Sequence, residues 1–157
     1  MVVGGPNMGV WRATHEEATI VAQQERLTRP PLLYPDRELC ITSTLSDLPW
    51  VHKALQQLAP GKLRYASATG GLALTVILGE SDAFYRNRNN TKRWDICAVE
   101  ALVREFGGAL GDREGRAYDY DATANERGYD NVNGILVTLD PQVERKIVEQ
   151  IHQCANE

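Results

Sequence analysis

The sequence predicts an α/β domain in which strands and helices alternate along the chain. Short apolar segments rich in β-formers recur between residues 39 and 138. Between them lie stretches whose apolar residues repeat at three- and four-residue spacing, as in helices with one buried face. We therefore expect a largely parallel sheet with flanking helices.

The composition narrows the class of protein. The chain has 157 residues, 43% of them hydrophobic, which suits one core of moderate size in a soluble protein. Its net charge of −4 argues against a nucleic acid polymer as a partner, because such a surface would be basic. Three widely spaced cysteines fit a reducing compartment, and we expect a cytoplasmic protein. No apolar run approaches the ~20 residues that cross a membrane, so no membrane partner is expected.

Residues 1–37 do not have the pattern of a complete unit. Residues 2–7 form a turn-rich opening, and the segments 8–13 and 18–23 contain enough β-formers for a hairpin. Residues 29–36 read as an extended, proline-rich connector.

From residue 39 onward the elements alternate. Strands are predicted at 39–42, 62–66, 82–85 and 134–138. A first helix is capped by Ser46 or Asp47, has Pro49 in its first turn and ends at Gly61.

The remaining elements follow the same logic. A second helix or turn opens at Thr69 and is apolar nearly all round, as expected for a helix packed between other elements. A third helix spans 94–106, and Asp140 and Pro141 begin the last one. The segments 109–112 and 116–120 are predicted to form a short hairpin, and 121–131 a loop.

The stretch that matters most for function is Thr-Lys-Arg-Trp-Asp-Ile-Cys-Ala at 91–98, whose helix ends at Gly107 and Gly108. Asp95 lies at the amino end of that helix, where the dipole and free amides favour a carboxylate. Asp95 can be read as an ordinary N-cap, or as a ligand of a cation that faces a phosphate. For Lys92 and Arg93 the plain interpretation is two solvated surface charges.

These residues resemble a known family. Trp-Asp-x-x-Ala followed by a helix and Gly-Gly is similar to the second signature of the inositol monophosphatase family of metal-dependent phosphatases. Gly-Glu-Ser-Asp-Ala-Phe-Tyr-Arg at 79–86 resembles the Gly-x-x-Asp-x-Tyr stretch of that family. The resemblance covers roughly residues 38 to 140. Within the family, the branch that this chain resembles most is 3′(2′),5′-bisphosphate nucleotidase.

The resemblance implies a fold and a set of site residues. The fold would be the C-terminal layers of the sugar-phosphatase α/β sandwich. Asp95 would bind Mg²⁺, the cofactor of the family. The substrate would contact the residues Thr44, Thr69, Gly70, Arg86 and Asp95. No catalytic residue is assigned from the resemblance. Leu45 and Leu72 stand where the nucleotidases often have His and Lys, which leaves the substrate open.

The first signature of the family, Asp-Pro-(Ile/Leu)-Asp-Gly-Thr, is not found in this chain. We therefore expect residues 1–37 to be a remnant hairpin and linker of a preceding sheet domain, and 38–157 to be the C-terminal α/β phosphatase domain. The expected partners are a nucleotide bisphosphate or an inositol phosphate, a missing N-terminal half of the same enzyme, and a second copy through self-association. The alternatives are inositol-polyphosphate 1-phosphatase, an inositol monophosphatase-like enzyme, and a non-catalytic truncated copy.

Overall fold

The computed structural model describes residues 2–5, 7–13, 24–32, 34, 37–66, 68–121 and 129–155. The described residues form two sheets and four α-helices. The strands are β1 (Val2–Gly5), β2 (Gly9–Ala13), β3 (Gln24–Leu27), β4 (Ile41–Thr44), β5 (Leu63–Ala66), β6 (Ala83–Arg86), β7 (Ala109–Gly111) and β8 (Ile135–Thr138). The helices are α1 (Pro49–Leu58), α2 (Thr69–Ile77), α3 (Cys97–Glu105) and α4 (Pro141–Ala155), with a 3₁₀ turn at Arg93–Asp95.

The larger sheet has the strand order β5-β4-β6-β8-β7. Strand β4 pairs in parallel with β5 and β6, as predicted, whereas β8 runs antiparallel to both of its neighbours, so the sheet is mixed. Because β4, β5 and β6 are parallel, their carboxyl ends meet at one edge of the sheet. In open α/β sheets, ligands bind outside that edge.

Side chains of the large sheet enter two separate cores, one on each face. Phe84 packs with α2, α3 and β2 on one face, while its neighbours Ala83 and Tyr85 pack with α1 and α4 on the other. The layers are therefore the small sheet, the pair α2 and α3, the large sheet, and the pair α1 and α4. Among the described residues, none of the helices is long and apolar enough to span a bilayer.

The small sheet has the order β1-β2-β3, with antiparallel pairs throughout. Strand β1 was not predicted, because two glycines at its end read as a turn. Gly4 is required there, since a Cβ would lie 2.5 Å from the carbonyl oxygen of Gly9 and 2.9 Å from Leu102 of α3. The predicted strand at 18–23 and the turn before it lie outside the described residues. The sheet is tied to α3 by Glu105, which accepts hydrogen bonds from the amides of Asn7 and Gly9.

The hairpin predicted at 109–112 and 116–120 is present in a minimal form, with one antiparallel bridge and a hydrogen bond from the amide of Asp112 to the carbonyl of Arg116 at 2.8 Å. Strand β7 pairs along its length with β8, and the second segment adds to it only the bridge between Gly111 and Ala117. The carboxylate of Asp112 accepts from the amides of Glu114 and Arg116, and this closes a tight turn. The third helix also differs from its prediction, because the 3₁₀ turn precedes α3 and Ile96 separates the two.

Candidate functional site

Arg86 ends β6 at the carboxyl edge of the large sheet, and its side chain is 8% exposed. Its Nη1 donates to the hydroxyl of Thr69 at 2.8 Å, and its Nη2 donates to the side chain of Asn90. Within the described part of the chain, its buried Nε has no hydrogen-bond partner. Burial lowers the pKa of Arg86, and the carboxylates of Asp47 and Asp95 act against that effect. The guanidinium stays charged at neutral pH, since arginine remains protonated in proteins.

The first turn of α2 lies directly against this guanidinium. The helix begins at Thr69, and Ala68 before it has a φ of 85° and a methyl group that cannot cap. The first amides of any helix lack intrahelical partners and lie at the positive end of its dipole. Gly71 in this turn is exposed, and a Cβ there would meet no described atom within 4 Å. The start of α2 is therefore open to an anion next to Arg86.

Asp95 lies beside that turn. A Cβ at Gly70 would be 3.6 Å from the carbonyl oxygen of Asp95, so the two backbones are adjacent. The Asp95 side chain is exposed, and its Oδ2 accepts a hydrogen bond from the amide of Lys92 at 2.8 Å. Asp95 therefore does stabilise a turn in the manner of a capping residue, while remaining open to solvent. The structure brings together four of the predicted site residues: Thr69, Gly70, Arg86 and Asp95, here called the candidate site.

Asp95 alone does not form a metal centre. Among the described residues there is no group of three His, Cys, Asp or Glu side chains that could hold a metal ion. The donor set of this part of the chain therefore fits one ligand position of a Mg²⁺ ion and does not fit a two-metal site.

Thr44 ends β4, the neighbour of β6, so it lies at the same sheet edge. It is 3% exposed, and its hydroxyl pairs with that of Ser46 at 3.1 Å. Its carbonyl oxygen lies 2.9 Å from Nε2 of His52 on α1. These hydrogen bonds of Thr44 run to α1 and to the turn before it, and none of those within the described residues joins it to Arg86.

Asp47 is a component of this edge that the sequence did not identify. The pattern predicted that it could cap α1, but the N-cap position is held by Leu48. Asp47 is 5% exposed and accepts from the hydroxyl of Ser43 at 3.2 Å and from the amide of Asn87 at 3.1 Å. It therefore links the ends of β4 and β6 and contributes negative charge close to Arg86. The signal in the sequence was a carboxylate three residues after the polar end of β4.

A buried polar network around Arg93 holds the 3₁₀ turn in place. Arg93 was expected to be a surface charge, yet it is 6% exposed. Its Nη1 donates to Oδ1 of Asn131 at 2.6 Å, and its Nε donates to the carbonyl of Asp119 at 2.9 Å. The guanidinium also stacks on the ring of Tyr118 at 4.0 Å. Lys92 remains exposed, as expected, and pairs with Asp130.

Comparison with known proteins decides the family. The model of the inositol monophosphatase family matches residues 17–156 of this chain. The chain belongs to the inositol monophosphatase family. The fold agrees with this assignment, since the solved inositol monophosphatase of Anabaena superposes with a TM-score of 0.65 at 15% identity, over 93% of this chain and 55% of that one.

Two curated proteins resemble the chain in sequence. The 3′(2′),5′-bisphosphate nucleotidase 1 of Dictyostelium discoideum is 32% identical over 89 residues, which are 57% of this chain and 28% of that protein. The inositol polyphosphate 1-phosphatase of Bos taurus is 27% identical over 89 residues, which are 57% of this chain and 22% of that protein. The matched stretch therefore spans less than a third of either relative. One relative is named as a nucleotidase that acts on bisphosphates, and the other as a phosphatase that acts on inositol polyphosphates.

Proposed function

We propose that this chain is the C-terminal half of a Mg²⁺-dependent phosphomonoesterase that resembles 3′(2′),5′-bisphosphate nucleotidase. The whole enzyme would convert 3′-phosphoadenosine 5′-phosphate to AMP and phosphate. The observation that supports the proposal best is the arrangement of the candidate site. The guanidinium of Arg86 is buried, and its Nε has no hydrogen-bond partner among the described residues. It lies beside the start of α2, where the N-cap residue provides no side-chain hydrogen bond. Both features favour an anion.

Each residue of the candidate site has a role in this proposal. Arg86 would neutralise a substrate phosphate, while Thr69 holds the guanidinium in place through its hydroxyl. The first amides of α2 at Gly70 would donate to phosphate oxygens. Asp95 would supply one oxygen ligand to Mg²⁺, which keeps several waters and is commonly held by one or two carboxylates together with substrate phosphates. Bound there, the ion would offset charge on the phosphate, and its other ligands would come from outside the described residues.

Two further candidates stand beside the nucleotidase. The similarity to bovine inositol polyphosphate 1-phosphatase extends over as many residues as that to the nucleotidase, so an inositol phosphate is the second candidate. Leu72, at the position where the nucleotidases often have Lys, is 5% exposed and packs into the core with Val10. Leu45 is 74% exposed. A non-catalytic copy that only binds phosphate esters is the third candidate.

Phosphate release by the purified chain tests the proposal. The substrates would be 3′-phosphoadenosine 5′-phosphate and inositol 1,4-bisphosphate, each with and without Mg²⁺. Any Mg²⁺-dependent release should fall by about 10- to 100-fold in Asp95→Asn, because that change removes the carboxylate ligand and keeps the shape. Glu149→Gln, an equally conservative change at an exposed position on α4, is the matched control and should retain full activity.

The outcomes separate the candidates. Preference for one substrate identifies the branch. Release that persists without Mg²⁺, or that Asp95→Asn leaves unchanged, would refute the role of Asp95. Failure to release phosphate from either substrate would leave the family assignment standing and show that the chain is inactive by itself, as expected of an incomplete half or of a non-catalytic copy.

A further inference from the structure

Two aromatic side chains lie exposed next to the candidate site. Trp94 is 63% exposed and Tyr129 is 46% exposed. Their ring centroids are 5.8 Å apart with the planes tilted by 50°, so they form one aromatic pair. Large aromatic faces left in solvent are the groups on which planar ligands stack.

The backbone beneath the aromatic pair is held in place. The amide of Arg93 donates to the carbonyl of Tyr129 at 2.7 Å, directly linking the two segments. Lys92 bridges to Asp130, and the amide of Asn131 donates to the carbonyl of Thr91 at 2.9 Å. A surface whose segments are joined in this way loses little conformational freedom when a ligand binds.

The position of the pair suggests what it binds. Trp94 immediately precedes Asp95, whose carbonyl oxygen faces Gly70 at the start of α2. Trp94 is therefore one residue away from a backbone position that contacts the start of α2, where a phosphate would bind beside Arg86. A nucleobase has a π-face that can stack there, whereas the saturated ring of an inositol phosphate has none.

We propose that Trp94 and Tyr129 form a stacking surface for the base of a nucleotide whose phosphate binds at the candidate site. The position of the phosphate rests on the proposed function, but the stacking surface stands on the aromatic pair itself. It would make the chain prefer nucleotides over inositol phosphates.

Binding measured by isothermal titration tests this without requiring turnover. The ligands would be AMP, ribose 5-phosphate, inositol 1-phosphate and adenosine, all with Mg²⁺. We expect AMP to bind about 5- to 10-fold more tightly than ribose 5-phosphate, near the low end for stacking on one face. Trp94→Ala should bind AMP and ribose 5-phosphate with equal affinity, and Trp94→Phe should keep most of the preference. Trp11→Ala, which removes an indole of β2, is the control and should keep the preference in full.

The ligand set distinguishes two kinds of failure. Equal affinity of the unsubstituted chain for AMP and ribose 5-phosphate would overturn the stacking surface and leave the phosphate site standing. Adenosine binding that Trp94→Ala abolishes, with no gain from the phosphate of AMP, would support the stacking surface and refute the phosphate position. No binding of any ligand would overturn both.

Discussion

At the scale of single residues, Asn131 fixes the turn that presents Trp94 and Asp95. It is fully buried, donates to the hydroxyl of Thr91 and the carbonyl of Lys92, and accepts from Arg93. Three hydrogen bonds of one side chain therefore hold residues 91–93 against the segment that leads into β8. One of them satisfies a buried charge, which is the kind of hydrogen bond whose loss costs most.

We predict that Asn131→Ala lowers the free energy of unfolding by about 2–3 kcal/mol, because it leaves the Arg93 guanidinium short of a partner. Urea denaturation followed by circular dichroism measures this. Asn133→Ala is the matched control, since Asn133 accepts from the amide of Arg113 through its backbone carbonyl, which the change keeps. It should cost no more than about 0.5 kcal/mol. Equal losses in the two variants would show that the side-chain network contributes nothing particular.

At the scale of secondary-structure elements, the passage from α3 to β7 depends on close packing at Gly108. A Cβ there would lie 2.6 Å from the carbonyl oxygen of Thr138 and 2.5 Å from the side chain of Leu139. The oxygen belongs to the backbone of β8 and cannot move aside. The Gly-Gly pair is thus explained by the approach of the turn to a neighbouring strand, as well as by the end of the helix, where Gly107 has a φ of 69°.

We predict that Gly108→Ala destabilises the fold by about 1–3 kcal/mol through this overlap. Gly71→Ala is the matched change in an open place, the first turn of α2, and should stabilise by up to about 1 kcal/mol through the lower entropy of the unfolded chain. Thermal and urea unfolding of the two variants give the comparison. Changes of the same sign in both variants would contradict the packing account.

At the scale of the whole molecule, local patterns predicted more of the fold than of the site. Helix α1 and helix α4 follow from amphipathic spacing and from prolines in their first turns, and the structure places them at Pro49–Leu58 and Pro141–Ala155. Strand β1 and the burial of Arg93 could not be predicted locally. The position of β1 depends on Leu102 of α3, and the burial of Arg93 depends on Asp119 and Asn131. All three residues lie far away along the chain.

The candidate site shows the same limit. The resemblance supplied Thr69, Gly70, Arg86 and Asp95, which are distributed over three segments and meet only in the folded chain. Asp47 has no motif, and its place beside Arg86 follows from the pairing of β4 with β6. The pairing between strands brings the residues of this edge together, so a sequence pattern within one strand does not reveal them.

The burial of tyrosines gives a pH dependence that belongs to the molecule as a whole. Burial raises the pKa of Tyr85, Tyr118 and Tyr120 above the ordinary value. Nearby carboxylates add to this, and Arg113 and Arg93 act against it. In the unfolded chain these phenols lose their protons near pH 10, while in the folded chain they keep them. The unfolded state then binds fewer protons than the folded state, so stability must fall as pH rises above about 10.

We therefore predict a free energy of unfolding that declines above about pH 10, with a slope reduced by close to one proton in Tyr85→Phe. Tyr85 suits this test because its ring is fully buried and, among the residues that the structure describes, its hydroxyl makes only a long contact of 3.4 Å to Asn87. The variant should therefore fold. Urea denaturation from pH 8 to 11 gives the slope, and absorbance of the phenolate follows the ionisation directly. An unchanged slope in Tyr85→Phe, or phenolate absorbance from all tyrosines of the folded protein near pH 10, would contradict the assignment.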